Sequence, residues 1–202
     1  MTMTILRKCK NGCCAVLSYI YYNLIFKTFG WRSRIGRMPL IEGGKYVSIA
    51  SRVTLYNNVS LQALKLHSEY PEIIIKSRTR IWHNCQISAI SSVLIEEGCA
   101  IASNVFITDC THDYYSIDID VTQSGIIPLA SVVIGRGTWI GRNSIISGCK
   151  IGKHCIIGAN TFVKSDIPDY CVVVGNPSRI VKRYDKSIMT WRKTDPLGNF
   201  ID

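Results

Sequence analysis

The sequence predicts an all-β chain wound as a parallel β-helix of triangular coils, and three observations carry that prediction. Aliphatic residues recur every six positions: Ile75, Ile81, Ile87 and Val93; Ile95, Ile101 and Ile107; Ile134, Ile140 and Ile146; Ile151, Ile157 and Val163. The residue four places after an aliphatic one is small or β-branched, as at Thr79, Cys85, Cys99, Val105, Thr138, Ser144, Cys155 and Thr161. Gly or Ala often follows the aliphatic residue directly, as at Ala102, Gly135, Gly141, Gly152 and Gly158. Neither a helix nor a flat half-buried strand gives a period of six. A unit of one short strand and one tight corner does, with the aliphatic side chain inside, the small one at the corner, and three units to a coil.

The elements follow in chain order. Residues 1–34 form a basic, apolar N-terminal segment. Its run GCCAVLSYIYYNLIF (12–26) reads as a helix, with packing on the domain, lying on a membrane surface and anchoring in a membrane as the roles open to it. The run is shorter than the ~20 residues that a comfortable span takes, and no signal-peptidase pattern follows it. Residues 35–178 form the repeat domain. Between Ile107 and Val132 the beat stops, so residues 108–131 are expected to leave the coil as a long loop, and long loops ejected from regular structure usually carry function. His112 lies near the base of that loop. Residues 179–202 form a short basic C-terminal cap, because the open ends of a solenoid need covering.

Composition limits the partners. With 47% hydrophobic and only 19% charged residues, the 202-residue chain can bury a full core and is not disordered. The net charge of +10 is uneven. Residues 1–45 carry eight Lys/Arg against Glu42 alone, residues 46–178 carry ten of each sign, and residues 179–202 carry six basic against three acidic. A neutral body argues against nucleic acid as a partner. Two basic ends favour something anionic at each: a phosphate-bearing cofactor, a lipid pyrophosphate or an acidic membrane surface. Nine cysteines without a CxxC pair or zinc spacing point to a reducing compartment and to no metal.

Three stretches resemble one family: ITDCTHD (107–113), VVIGRGTWIGRNSIISG (132–148) and IIGANTFVKSDIPDYCVVVGNPSRIVKRY (156–184). Over about residues 73–184 the chain resembles the hexapeptide-repeat acetyltransferases of the galactoside, maltose and nodulation-factor O-acetyltransferase type. The ending YDKSIMTWRK, and CAIASNVFITD before the histidine, are most similar to lipopolysaccharide and O-antigen O-acetyltransferases. The resemblance implies a left-handed β-helix and acetyl-CoA as cosubstrate. It also implies a sugar or glycan acceptor, lipid-linked or free, and a cytoplasmic homotrimer with sites between neighbouring subunits. The basic N-terminal segment offers a peripheral contact with the inner membrane.

The same resemblance assigns roles. His112 matches the family's catalytic base, a task suited to imidazole because its pKa lies near working pH. Asp109 and Asp113 are equally placed to orient its ring. The backbone N–H of Arg142 matches the oxyanion donor, a role that any non-proline residue can fill. Trp139 would line the cofactor channel, and Ala159 would let the pantetheine approach the backbone. Arg179 and Lys182 would meet the cofactor's phosphates. The family's Thr-Lys pair appears here as Lys164-Ser165, and many relatives carry a histidine where Cys110 stands. Asn84 roughly matches an acceptor-contacting asparagine.

Other readings are an antibiotic or other small-molecule acetyltransferase and a sugar-nucleotide N-acetyltransferase. A serine acetyltransferase would need a large helical N-terminal domain. A zinc carbonic anhydrase of this fold needs three converging histidines, and the four here are far apart in sequence. A non-catalytic solenoid would have no use for His112 in an ejected loop.

Overall fold

A computed structural model describes residues 12–38 and 40–201. The N-terminal basic residues Arg7, Lys8 and Lys10 lie outside them. Every strand of the coil pairs in parallel with the equivalent strand one turn later, which gives three faces. The first runs from Thr28–Phe29 through Val47–Ile49, Glu72–Ile75, Ser92–Ile95 and Val132–Ile134 to Lys150–Ile151. The second runs from Arg34–Ile35 to Cys171–Val174, and the third from Ile41–Glu42 to Phe162–Val163.

The six-residue beat becomes three columns inside the coil. Ile49, Ile75, Ile95, Ile134 and Ile151 stack on the first face. Leu55, Ile81, Ile101, Ile140, Ile157 and Val173 stack on the second. Leu61, Ile87, Ile107, Ile146 and Val163 stack on the third. All are buried. Like stacks on like at the strand spacing of about 4.8 Å, so each methyl group meets the same shape above and below.

The small residues four places on have a second task. Thr138 Oγ1 donates to the Gly152 carbonyl at 2.8 Å, Ser144 Oγ to Gly158 at 2.9 Å, and the Cys85 thiol to Ala102 at 3.0 Å. Each ties its corner to a carbonyl of the next coil and thereby satisfies a buried polar atom. Burial pushes the thiols of Cys85, Cys99, Cys149 and Cys155 up to about 11, so they are inert fillers. The corners themselves bring backbones very close. A Cβ on Gly141 would lie 2.6 Å from the Ala159 nitrogen, and one on Gly135 would lie 2.5 Å from the Gly152 carbonyl carbon.

The corner from the second to the third face carries an asparagine ladder. Asn58, Asn84, Asn104, Asn143 and Asn160 all have φ near +60°, and each amide bonds the next at 3.0–3.1 Å. Asparagine tolerates the left-handed conformation, and here it adds a coil-to-coil bond.

The coil begins earlier than expected. Residues 28–34 belong to it rather than to the N-terminal segment, because Phe29 and Ile35 are already stacked posts. Ahead of them the helix Gly12–Ile25 lies over the open end, where Tyr22 and Phe26 pack with Phe29. No helix among the described residues is long and apolar enough to cross a membrane. At the other end Arg179–Asp185 and Thr190–Lys193 form an antiparallel hairpin that continues the second face past the last coil. The long loop is itself ordered. Cys110–His112 and Ile126–Pro128 pair antiparallel, with a short turn of helix at Val121–Ser124.

Candidate active site

His112 ends the loop's outgoing strand, opposite Ile126. It is exposed, and its ring has no hydrogen-bond partner among the described residues. The strand that carries it is held from below. Asp109, fully buried, accepts the N–H groups of Ile90, Ser91 and Ser92 at 2.8, 2.8 and 2.7 Å. Its own carbonyl accepts the Leu129 N–H at 2.7 Å, which closes the loop's two stems. Three amides of the 90–92 turn are thus left without a backbone acceptor, and one carboxylate takes them all.

The choice between the two aspartates is therefore corrected for Asp109. Both its oxygens are committed to backbone, so it fixes the loop and does not orient the imidazole. Asp113 accepts the Tyr115 N–H at 3.0 Å, and its carbonyl accepts the Ser124 hydroxyl. It shapes the loop next to His112 without bonding the ring. Cys110 lies against Thr108, its thiol 3.2 Å from Thr108 Oγ1 and pushed up by burial.

The cofactor candidates fall into groups. Arg142 and Ala159 stack on successive coils at the corner between the second and third faces, with the Asn160 N–H on the Arg142 carbonyl at 2.9 Å. The Arg142 N–H itself has no partner among the described residues. The next turn of this corner passes through Val174, which lies against Gly158 and pairs with Arg179 on the C-terminal hairpin, so Arg179 lies at the same corner as Arg142 and Ala159. Trp139 stands outward on the second face beside it, half exposed, between Ala100 and Ile156. Lys182 lies farther along the Arg179 strand, opposite Val172. Among the described residues none of Arg142, Arg179 and Lys182 has an acidic partner. Lys164 and Ser165 sit apart, at the corner where the third face ends, two coils beyond the loop exit.

Within one chain, His112 and the corner that holds Arg142, Ala159 and Arg179 are at different corners of the triangle. An open groove of about 480 Å³ is lined by residues such as Lys150, Lys153, Asp166 and Asp169, and it contains none of the expected site residues.

Asn84 is also corrected. Its amide accepts from Asn58 and donates to Asn104, so it belongs to the ladder. The polar groups on the outer side of the strand beside the loop exit are Gln86, exposed, and Ser88, buried, in register with Phe106 and Thr108 and bonded to Gln62. Sequence reasoning missed them, although they lie two and four residues past Asn84 at alternate positions of one strand, the spacing of a shared outward face.

The chain is similar to several known proteins. The bacterial transferase hexapeptide family (six repeats) matches residues 131–165. A protein of Escherichia coli named as a lipopolysaccharide biosynthesis O-acetyl transferase, WbbJ, is 28% identical over 91% of this chain and 96% of its own length. A protein named as an acetyltransferase in Mycobacterium tuberculosis is 37% identical over 70% of this chain, which spans only 44% of that relative. The crystal structure of AntD, an N-acyltransferase from Bacillus cereus in complex with dTDP-4-amino-4,6-dideoxyglucose and coenzyme A, superposes with a TM-score of 0.63. It covers 85% of this chain and 91% of its own at 18% identity, and so shares the fold. The chain thus carries the bacterial transferase hexapeptide repeat and is similar over nearly its whole length to a protein named as an O-acetyl transferase.

Proposed function

We propose that the protein is an acetyl-CoA-dependent O-acetyltransferase. It acts on a sugar hydroxyl of a surface polysaccharide or of its lipid-linked precursor, in the cytoplasm beside the inner membrane. The observation that carries the reading is His112: an unpartnered imidazole on a hairpin whose base is fixed by a buried carboxylate. A surface histidine has no need of such support, whereas a general base must be held to within a fraction of an ångström. The resemblance of the chain to sugar O-acetyltransferases, and the lipopolysaccharide role in the name of its full-length relative, supply the acceptor class.

The residues of the second–third corner fit coenzyme A. Ala159 follows Gly158, so no large side chain covers the backbone there. Arg179 and Lys182 are exposed cations free to meet phosphates, and the Arg142 N–H is an unspent donor. Acetyl-CoA supplies an activated thioester. His112 takes the proton of the acceptor hydroxyl as its oxygen bonds the acetyl carbon, and the Arg142 N–H donates to the carbonyl oxygen as negative charge develops there. His112 then returns the proton to the departing sulfur, so no acyl-enzyme is required. Because His112 and Arg142 occupy different corners, a homotrimer of left-handed coils that sets one chain's loop against its neighbour's corner completes the site.

The test is CoA release from acetyl-CoA over a panel of free sugars, nucleotide sugars and lipid-linked glycans. The expected result is turnover with a hydroxyl acceptor and an ester product. Turnover only with an amino sugar would establish N-acyl transfer instead, and no turnover with any glycan would overturn the reading.

A further inference from the structure

The corner between the first and second faces changes character along the axis. Its left-handed residues are Arg32, Arg52 and Arg78 in the first three coils, with φ of 61–62°. Gly98, Gly137, His154 and Tyr170 follow in the later ones. This conformation costs a side chain that glycine or asparagine would spare. Three successive arginines occupy this position.

The three corners stack directly. The Arg52 N–H bonds the Trp31 carbonyl at 3.1 Å, and the Arg78 N–H bonds Ser51 at 3.2 Å. The preceding residues, Trp31, Ser51 and Ser77, form a parallel row, and the two rows with Glu97 line an open groove of about 410 Å³. Arg78 pairs with Glu97 at 2.9 Å. Arg32 and Arg52 have no ion pair among the described residues. Guanidinium forks interleaved with serine hydroxyls about 4.8 Å apart suit a row of phosphates.

The groove adjoins an apolar surface. Trp31 is 48% exposed and meets Tyr19 edge-on at 5.7 Å, which joins the groove to the N-terminal helix. That helix carries no charge. It turns Leu17, Ile20, Tyr21 and Leu24 outward, with Leu24 83% exposed. Lys27, Arg34, Arg37 and Lys45 are exposed on the same end of the solenoid.

We propose that this end docks on an anionic lipid bilayer, with the outward helix face and Trp31 in the headgroup–acyl boundary and Arg32 and Arg52, the members of the row nearest the end, on lipid phosphates. Membrane binding by a peripheral protein takes two signals, apolar insertion and a cationic patch, and both are here side by side. Aromatic side chains at the boundary are typical of the interface. A second copy is the poorer occupant, because a symmetric contact would set this cationic end against itself. Docking deepens the lipid-linked acceptor reading. The loop exit lies three coils from this end, about 14 Å at the usual strand spacing, within reach of a glycan projecting from the bilayer.

The test is flotation of the full-length protein with vesicles of phosphatidylglycerol and phosphatidylethanolamine, or of phosphatidylcholine alone. Binding is expected only to the anionic vesicles, weakening steeply as salt is raised. Arg32→Gln/Arg52→Gln and, separately, Leu24→Glu should each lower it at least tenfold, with melting temperature and CoA release on a soluble acceptor as in the wild type. Equal binding to both vesicle types, or unchanged binding by the arginine variant, would overturn the proposal. So would a Leu24→Glu variant that dissociates an oligomer while still floating. Because soluble-acceptor turnover is read separately, failure of docking and failure of the acetyltransferase reading are distinguishable.

Discussion

His112→Ala is expected to lower acetyl transfer by about 10²–10⁴-fold, the usual contribution of a general base. The melting temperature and the affinity for coenzyme A should stay as in the wild type. The imidazole is exposed and makes no hydrogen bond among the described residues, so its removal leaves no buried group unsatisfied. The fall should appear in kcat rather than KM, because the interaction lost is made in the transition state. Steady-state kinetics with the best acceptor of the panel measures it. Activity within a few-fold of the wild type would remove His112 from the mechanism.

Asp109→Ala is expected to act through stability. It would strand the Ile90, Ser91 and Ser92 amides, each at a cost of about 1–3 kcal/mol, for a total of several kcal/mol. In a chain of this size each kcal/mol lowers the melting temperature by about 2–4 °C, so a fall on the order of 10 °C is expected. Asp109→Asn keeps one good acceptor and turns an N–H₂ group toward a donor, so it should fall between Ala and the wild type. Both variants should also lose activity below their melting temperatures, because the base of the His112 hairpin is no longer fixed. Thermal melts followed by circular dichroism decide the point. An Asp109→Ala protein as stable as the wild type would mean that the three bonds contribute nothing.

The coil was legible where its chemistry is periodic. Isoleucine posts and small corner residues announce themselves because a parallel solenoid repeats one environment, so the same side chain is selected at every turn. The first two coils carry the beat as well: Phe29, Ile35 and Ile41, then Ile49, Leu55 and Leu61, with Val53 and Val59 at the corner positions. They escaped detection because the first post is aromatic, and because residues 64–71 interrupt the count before Ile75. The asparagine ladder had a visible sign too, since each asparagine directly precedes a corner residue, as in Asn104-Val105 and Asn160-Thr161.

The site was less legible. The ejected loop and its histidine stood out as a break in a regular pattern. Asp109 could not be distinguished from Asp113, because its partners are backbone amides 17–19 residues upstream that no side-chain pattern marks. Asn84 was chosen on residue type alone, and its ladder partners lie on the coils above and below. The arginine row was equally hidden, since Arg32, Arg52 and Arg78 are 20 and 26 residues apart and meet only once the coil is closed.

The central claim is that catalysis joins His112 of one chain to the Arg142–Ala159 corner of another. Mixing two inactive variants tests it most directly. His112→Ala lacks the base, and Ala159→Trp fills the corner that the cofactor would cross. Neither variant alone should turn over. After denaturation and joint refolding at equal ratio, random trimers should place an intact loop against an intact corner at about one site in four, so about a quarter of wild-type turnover should return. No recovery from a mixture that does form trimers would contradict the shared site.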